Sequence, residues 1–124
     1  MPKKALEKLT ESMFYVLMAL RGEARCGSEI VSFIDRCTGG RIQIGPATLY
    51  TVLSKFEKEK YIREVAVQGR KRTYTLTPMG LSAYEAEFQR LHQCLADAQT
   101  AGKEDALAGN EHVKSAGVSL TALS

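Results

Sequence analysis

The 124-residue sequence is poor in the residues that build metal centres and most catalytic sites. Its two histidines, His92 and His112, lie far apart, and its three cysteines, Cys26, Cys37 and Cys94, are widely spaced and odd in number. No CxxC pair and no Cys/His ligand spacing occurs, which argues against a disulfide framework and against structural zinc. His92 and Cys94 form one His-x-Cys pair, which falls short of a metal site. Cys26 stands near a helix start, where a thiol is sometimes activated, but a plain reduced cysteine is the default for an intracellular chain. There is no phosphate-cradling glycine loop and no nucleophile–base–acid set, so neither an enzyme nor a cofactor is expected. No apolar run approaches the roughly 20 residues that span a bilayer. Met1-Pro2-Lys3-Lys4 is basic, yet Glu7 and Glu11 break any early apolar region, so no signal peptide is expected. These absences point to a cytoplasmic protein with no metal and no membrane partner.

What is present is ordinary in amount and uneven in placement. Hydrophobic residues at 44% and charged residues at 25% suit one soluble domain with a modest core, larger if the chain dimerises. The net charge is +3. The segment from Lys55 to Arg72 holds seven cations (Lys55, Lys58, Lys60, Arg63, Arg70, Lys71, Arg72) against Glu57, Glu59 and Glu64, so it alone carries more than the whole excess. A basic stripe on one element is the electrostatic footprint of a polyanion partner.

That segment belongs to the stretch Gly45 to Leu76, which predicts a helix followed by a basic-tipped hairpin. Gly45-Pro46 is a helix start, because proline at the first position loses an N–H that had no partner. Leu49, Val52, Leu53 and Phe56 recur at i, i+3, i+4 and i+7, which turns one face to a core. The opposite face carries Thr48, Tyr50, Thr51, Ser54, Lys55 and Lys58, groups that donate to phosphate oxygens and base edges. Tyr50 falls at the border of the apolar face, so spacing alone leaves it between core and surface. Tyr61 to Val67 and Thr73 to Leu76 are two strand-like runs joined by Gln68-Gly69-Arg70-Lys71-Arg72, a connection that reads as a hairpin with three cations at its tip. Such a run is usually solvated. Beside a matching helix it completes a two-point grip on double-stranded DNA, helix in the major groove and wing on the backbone or minor groove.

The rest of the chain supplies a frame for this unit. Thr10 or Ser12 caps a first helix ending near Leu20, and Met13, Phe14, Val16, Leu17, Met18, Ala19 and Leu20 make it apolar nearly all round, as for a central helix or one with a subunit-facing side. Arg21 to Gly27 is a connection. Ser28 caps a second helix, Glu29 to Thr38, whose stripe is Ile30, Ile34 and Cys37, and Gly39-Gly40 ends it. Arg41 to Ile44 is an extended link. Helix, helix, link, helix, hairpin is the order of a winged helix-turn-helix, here residues 1–77, and the fold class is mainly α (α+β). Thr77-Pro78 then opens a long helix to about Ala98. Leu81, Tyr84, Phe88, Leu91, Leu95 and Ala98 follow heptad spacing, the seam of a dimerisation helix over 78–99. Its partner is the first helix of the same chain or the same helix of a second subunit, and both at once are expected. Residues 100–124 are rich in Ala, Gly, Ser and Thr and lack periodicity, so a flexible tail is expected, with at most a helical turn near Glu104 to Ala108.

Several of these motifs together resemble the PadR-type transcriptional regulators over about residues 9 to 95. They are Leu17-Met18-Ala19-Leu20, Gly27 to Ile30, Gly45-Pro46-Ala47-Thr48-Leu49-Tyr50 with Leu53, Gly69-Arg70-Lys71-Arg72-Thr73-Tyr74, and Leu76-Thr77-Pro78-Met79-Gly80. The resemblance implies a homodimeric winged-helix repressor. Thr48, Tyr50, Thr51, Ser54 and Lys55 would then face the major groove, and Arg70, Lys71 and Arg72 would lie near the minor groove. Phe14, Leu17, Leu81, Tyr84, Phe88, Leu91 and Leu95 would pair the subunits. It also implies a small, often aromatic or cationic, effector near the dimer interface, for which Phe14, Met18, Phe88 and Leu91 are the candidate lining. The chain departs from the family pattern at Ser28, where an aromatic is frequent, at Thr51, where proline is, and at Lys60, where glycine is. The competing reading is a winged-helix module for protein or RNA, which predicts weak, sequence-independent duplex binding.

Overall fold

In the computed structural model, which describes residues 8–108, Thr10 opens the first helix. Its Oγ1 accepts the Met13 N–H at 3.2 Å, and the Thr10 N–H points back at the Met13 sulfur at 3.4 Å. This satisfies two amides that a helix start leaves unpaired. Helix α1 (Glu11–Arg21) buries Met13, Val16, Leu17, Ala19 and Leu20. Arg25 closes its far end by donating from Nε to the Ala19 carbonyl at 2.7 Å, while its guanidinium lies 4.7 Å from the centre of the Phe33 ring.

The connection after α1 contains a short strand that the sequence pattern does not reveal. Strand β1 (Arg25–Cys26) pairs antiparallel with β3 (Lys71–Leu76), Arg25 opposite Tyr74 and Cys26 opposite Thr73. Two residues are too few to show alternation, so only the pairing exposes them. Helix α2 (Gly27–Cys37) follows at once, and its cap is Cys26 rather than Ser28. Glu29 takes the Cys26 N–H on Oε1 at 2.8 Å, and Ser28 Oγ sits 3.3 Å from the thiol sulfur. A carboxylate three residues into the helix thus satisfies the amide of the cap residue itself, the reciprocal half of a capping box. Gly39-Gly40 ends α2, as expected from the sequence.

Helix α3 (Pro46–Lys58) has Gly45 as cap and Pro46 at its first position. Leu49, Val52, Leu53 and Phe56 are its buried residues, the four that the spacing selects. Its end is a Schellman turn: Lys60 N–H donates to the Glu57 carbonyl at 3.1 Å and Tyr61 N–H to the Phe56 carbonyl at 2.8 Å. The turn needs a left-handed residue, and Lys60 supplies it at φ +65°.

Strands β2 (Ile62–Gln68) and β3 form the hairpin, and the sheet order is β1-β3-β2. The chain then folds back tightly. Thr77 N–H donates to the Tyr61 carbonyl at 3.0 Å, its hydroxyl donates to the Lys60 carbonyl at 2.6 Å, and the same oxygen accepts the Gly80 N–H at 3.0 Å. Gly80 lies so close to the Tyr61 carbonyl that a Cβ there would fall 2.0 Å from its oxygen. Leu76-Thr77-Pro78-Met79-Gly80 is therefore a joint that ties the end of α3 to the start of α4.

Helix α4 (Pro78–Ala108) runs ten residues past the expected end near Ala98. Residues 101–108, AGKEDALA, are mostly strong helix formers with no proline. One glycine, at about 1 kcal/mol, does not stop a helix already propagating. The expected tail from 109 onward lies outside the described residues. The chain divides into two compact units at Glu87/Phe88. In the first, Val16, Leu17, Leu20, Ile30, Ile34 and Phe56 are fully buried, so α1, α2 and α3 share one core. Fully burying each such side chain contributes about 1.5–3 kcal/mol. Among the described residues, no helix is long and apolar enough to cross a membrane.

Candidate nucleic-acid interface

Burying the apolar stripe of α3 dictates what its other face presents. Thr48, Thr51, Ser54, Lys55 and Lys58 are exposed, and Tyr50 is 68% exposed. The tyrosine that spacing left at the border thus stands outward. Hydroxyls, a phenol and ammonium groups share one helix side, the width of which suits the major groove.

The wing differs from its expected form. Its turn is two residues, Gly69-Arg70, closed by the Gln68–Lys71 pair. Gly69 has φ +62°, and glycine at the first central position is the mark of a type II′ hairpin turn. Only Arg70 of the three cations sits in the turn. Lys71 and Arg72 begin β3 and point to opposite faces of the sheet, because strand side chains alternate. The expected five-residue connection is thus corrected to two, because long basic side chains suit an exposed strand end as well as a loop.

Arg72 shares the sheet face of Tyr74, which is buried. Glu64 lies opposite Tyr74, and Arg72 Nε comes within 2.7 Å of Glu64 Oε2. The contact is short, but the N–H is not aimed at the oxygen, which is itself buried and has no hydrogen-bond partner among the described residues. Burial pushes the Tyr74 phenol up, Glu57 and Glu64 add to this, and Arg72 opposes it. On the other side of the wing, the Cys26 N–H and thiol hold the Glu29 carboxyl below its usual range, with smaller help from Lys71 and Arg25. Sequence reasoning missed Glu64 as a functional neighbour. It stands eight residues from Arg72, and only the strand register brings the two together.

The residues expected to pair subunits fall into two groups. Leu17 is fully buried in the core of the first unit, so it has no surface to offer a second chain. Tyr84 is also buried; its ring stacks on the half-buried Phe14 at 5.1 Å, and Arg21 lies 6.0 Å from its centre. Burial raises the Tyr84 phenol, against the pull of Arg21. By contrast Leu81, Phe88, Leu91 and Leu95 are 37%, 47%, 40% and 58% exposed. Of the expected effector lining, Met18 and Phe14 pack against the core of the first unit, while Phe88 and Leu91 belong to the second unit, where Phe88 stacks on His92.

With this geometry in place, the sequence matches the profile of the Transcriptional regulator PadR-like family over residues 16–86, more than half the chain. The chain belongs to the PadR-like family. A PadR-like chain of this kind is similar to a transcriptional regulator from Clostridium thermocellum (25% identity, TM-score 0.64, covering 71% of this chain and 86% of that one). It is also similar to Bacillus subtilis PadR, solved in complex with operator DNA (25% identity, TM-score 0.56, 62% of this chain and 46% of that one). The fold further resembles RosR of H. salinarum (21% identity, TM-score 0.59, 77% of this chain and 97% of that one). Among curated proteins none matches at a significant level. The family span ends within α4, so the matched region is the winged helix-turn-helix and the first turns of the long helix.

Proposed function

We propose that this PadR-like chain regulates transcription by binding double-stranded DNA with sequence specificity. In its finer form, the reading is a homodimeric repressor on a near-palindromic operator, released by a small aromatic compound. The observation that carries it is the outward face of α3, where Thr48, Tyr50, Thr51, Ser54 and Lys55 are exposed together on the third helix of a helix-turn-helix. Arg70 in the wing turn supplies a cation for the backbone. Bulk duplex affinity comes from phosphate contacts, while base edges read by a helix face give sequence preference. That Bacillus subtilis PadR was solved in complex with operator DNA supports DNA as the partner here.

The dimer is supported by α4, where Leu81, Leu91 and Leu95 fall on a heptad row and are exposed. A two-fold dimer would set two α3 helices one DNA turn apart, roughly 34–36 Å, and so require an inverted repeat. Selection of bound sequences from a random duplex library, with the full-length protein, tests both parts. An inverted repeat is the expected result. A single enriched half-site would keep DNA recognition and remove the dimer. No enrichment by a folded protein would replace the reading with a protein- or RNA-binding winged helix.

A further inference from the structure

Resting on the DNA-binding reading above, we propose that Glu64 is an internal counter-ion that withholds Arg72 from phosphate and so sets the grip of the wing. The strand register makes the pair. Beyond Glu64, strand β2 bulges: Glu64 faces Tyr74 and the next pair is Ala66 with Thr73, leaving Val65 without a partner across the strand. The Glu64–Tyr74 pairing sets Glu64 diagonally across from Arg72 on one face, and the bulge that follows puts Val67 opposite Arg72 on that face.

The two side chains sit at different depths. Arg72 is 59% exposed and Glu64 27%, with the contacting Oε2 buried. An arginine that leaves for a DNA phosphate strands a carboxylate oxygen already cut off from water. Breaking a shielded ion pair by removing one partner is costly, because the remaining charge is unpaired. Arg70, in the turn, has no such carboxylate partner among the described residues. The wing therefore offers fewer phosphate contacts than its three cations suggest, and Glu64 determines the difference.

Binding to a short mixed-sequence duplex, followed by fluorescence anisotropy across a salt series, tests this for four intact proteins: wild type, Glu64→Gln, Arg72→Gln and the double variant. Each phosphate contact adds about 0.9 to the slope of log affinity against log salt, which is about eightfold in affinity near 0.1 M. Glu64→Gln keeps the shape of the side chain and removes its charge. It is expected to steepen the slope by about 0.9 and tighten binding about eightfold near 0.1 M salt. Arg72→Gln alone is expected to leave the wild-type slope unchanged, and the double variant to show no such tightening. A flatter slope for Arg72→Gln alone would mean that Arg72 already binds phosphate and would overturn the inference. So would an unchanged slope for Glu64→Gln, or a tightening that survives in the double variant, since the latter would reflect only the removal of a repelling charge. Wild-type protein that shows no salt-dependent binding would overturn the DNA reading itself.

Discussion

Helix α3 and the wing both present cations, but they hold them differently. On α3 the polar side chains share a face because the helix turns once every 3.6 residues, and Leu49, Val52, Leu53 and Phe56 claim the other side. Lys55 and Lys58 are exposed on the free side. On the wing the neighbours of each cation come from a different strand. Arg72 meets Glu64 across the hairpin, Lys71 lies near enough to Glu29 to lower its carboxyl slightly, and Arg70 occupies the turn. The charge offered by a helix face can be counted from the sequence. The charge offered by a hairpin depends on register, and here the register sets a carboxylate beside one wing cation.

The largest expected effect removes both regions at once. Gly80→Ala places a methyl against the Tyr61 carbonyl, between the end of α3 and the base of the wing. Neither backbone can yield without breaking the Thr77–Tyr61 hydrogen bond, so a destabilisation of about 3 kcal/mol or more, the upper end for overpacking, is expected in denaturant unfolding. A change below about 1 kcal/mol would show that the joint is softer than its geometry.

A second comparison separates helix from wing. Arg70→Ala with Lys71→Ala should weaken binding to all duplexes alike and flatten the salt slope by about 0.9 for each phosphate no longer engaged. Thr51→Ala or Tyr50→Ala should instead alter the preference among sequences, by about 1–3 kcal/mol at the affected base pair, with little change in slope where the side chain meets a base. Competition assays on single-base operator variants read the difference. Equal weakening on all sequences for the α3 variants would place that face on the backbone.

The smallest effect runs the other way. Lys60 is left-handed at the end of α3, a conformation that costs a side-chain-bearing residue roughly 1–2 kcal/mol, partly offset by the greater chain entropy of glycine. Lys60→Gly is therefore expected to raise stability by about 0.5–1 kcal/mol while keeping the Schellman turn. Thermal unfolding measures it, and a destabilised variant would mean that the lysine side chain supports the joint in some other way.

Much of this was legible in the residues. Periodicity selected the buried face of α3 and hence its outward face, Gly45-Pro46 marked its start, Gly39-Gly40 ended α2, and Thr77-Pro78 opened α4. Each is a local rule, in which a residue and its near neighbours decide the backbone. Strand β1 was illegible because two residues carry no pattern of their own. The tight turn was illegible because Lys71 and Arg72 have the chemistry of a loop and the conformation of a strand. The far end of α4 was illegible because its composition is shared by tails and helices.

Sequence alone determined the order of the helices and the hairpin and the apolar and polar sides of α3, since these follow from backbone preferences and helical spacing over a few residues; it also put Cys37 in the buried stripe of α2, where the structure leaves it exposed. Only the tertiary structure decided that Leu17 belongs to the core, that Gly80 touches the Tyr61 carbonyl, and that Glu64 claims Arg72. Those outcomes depend on which distant segments meet and in what register, and the meeting of separate segments is a property that no local spacing encodes.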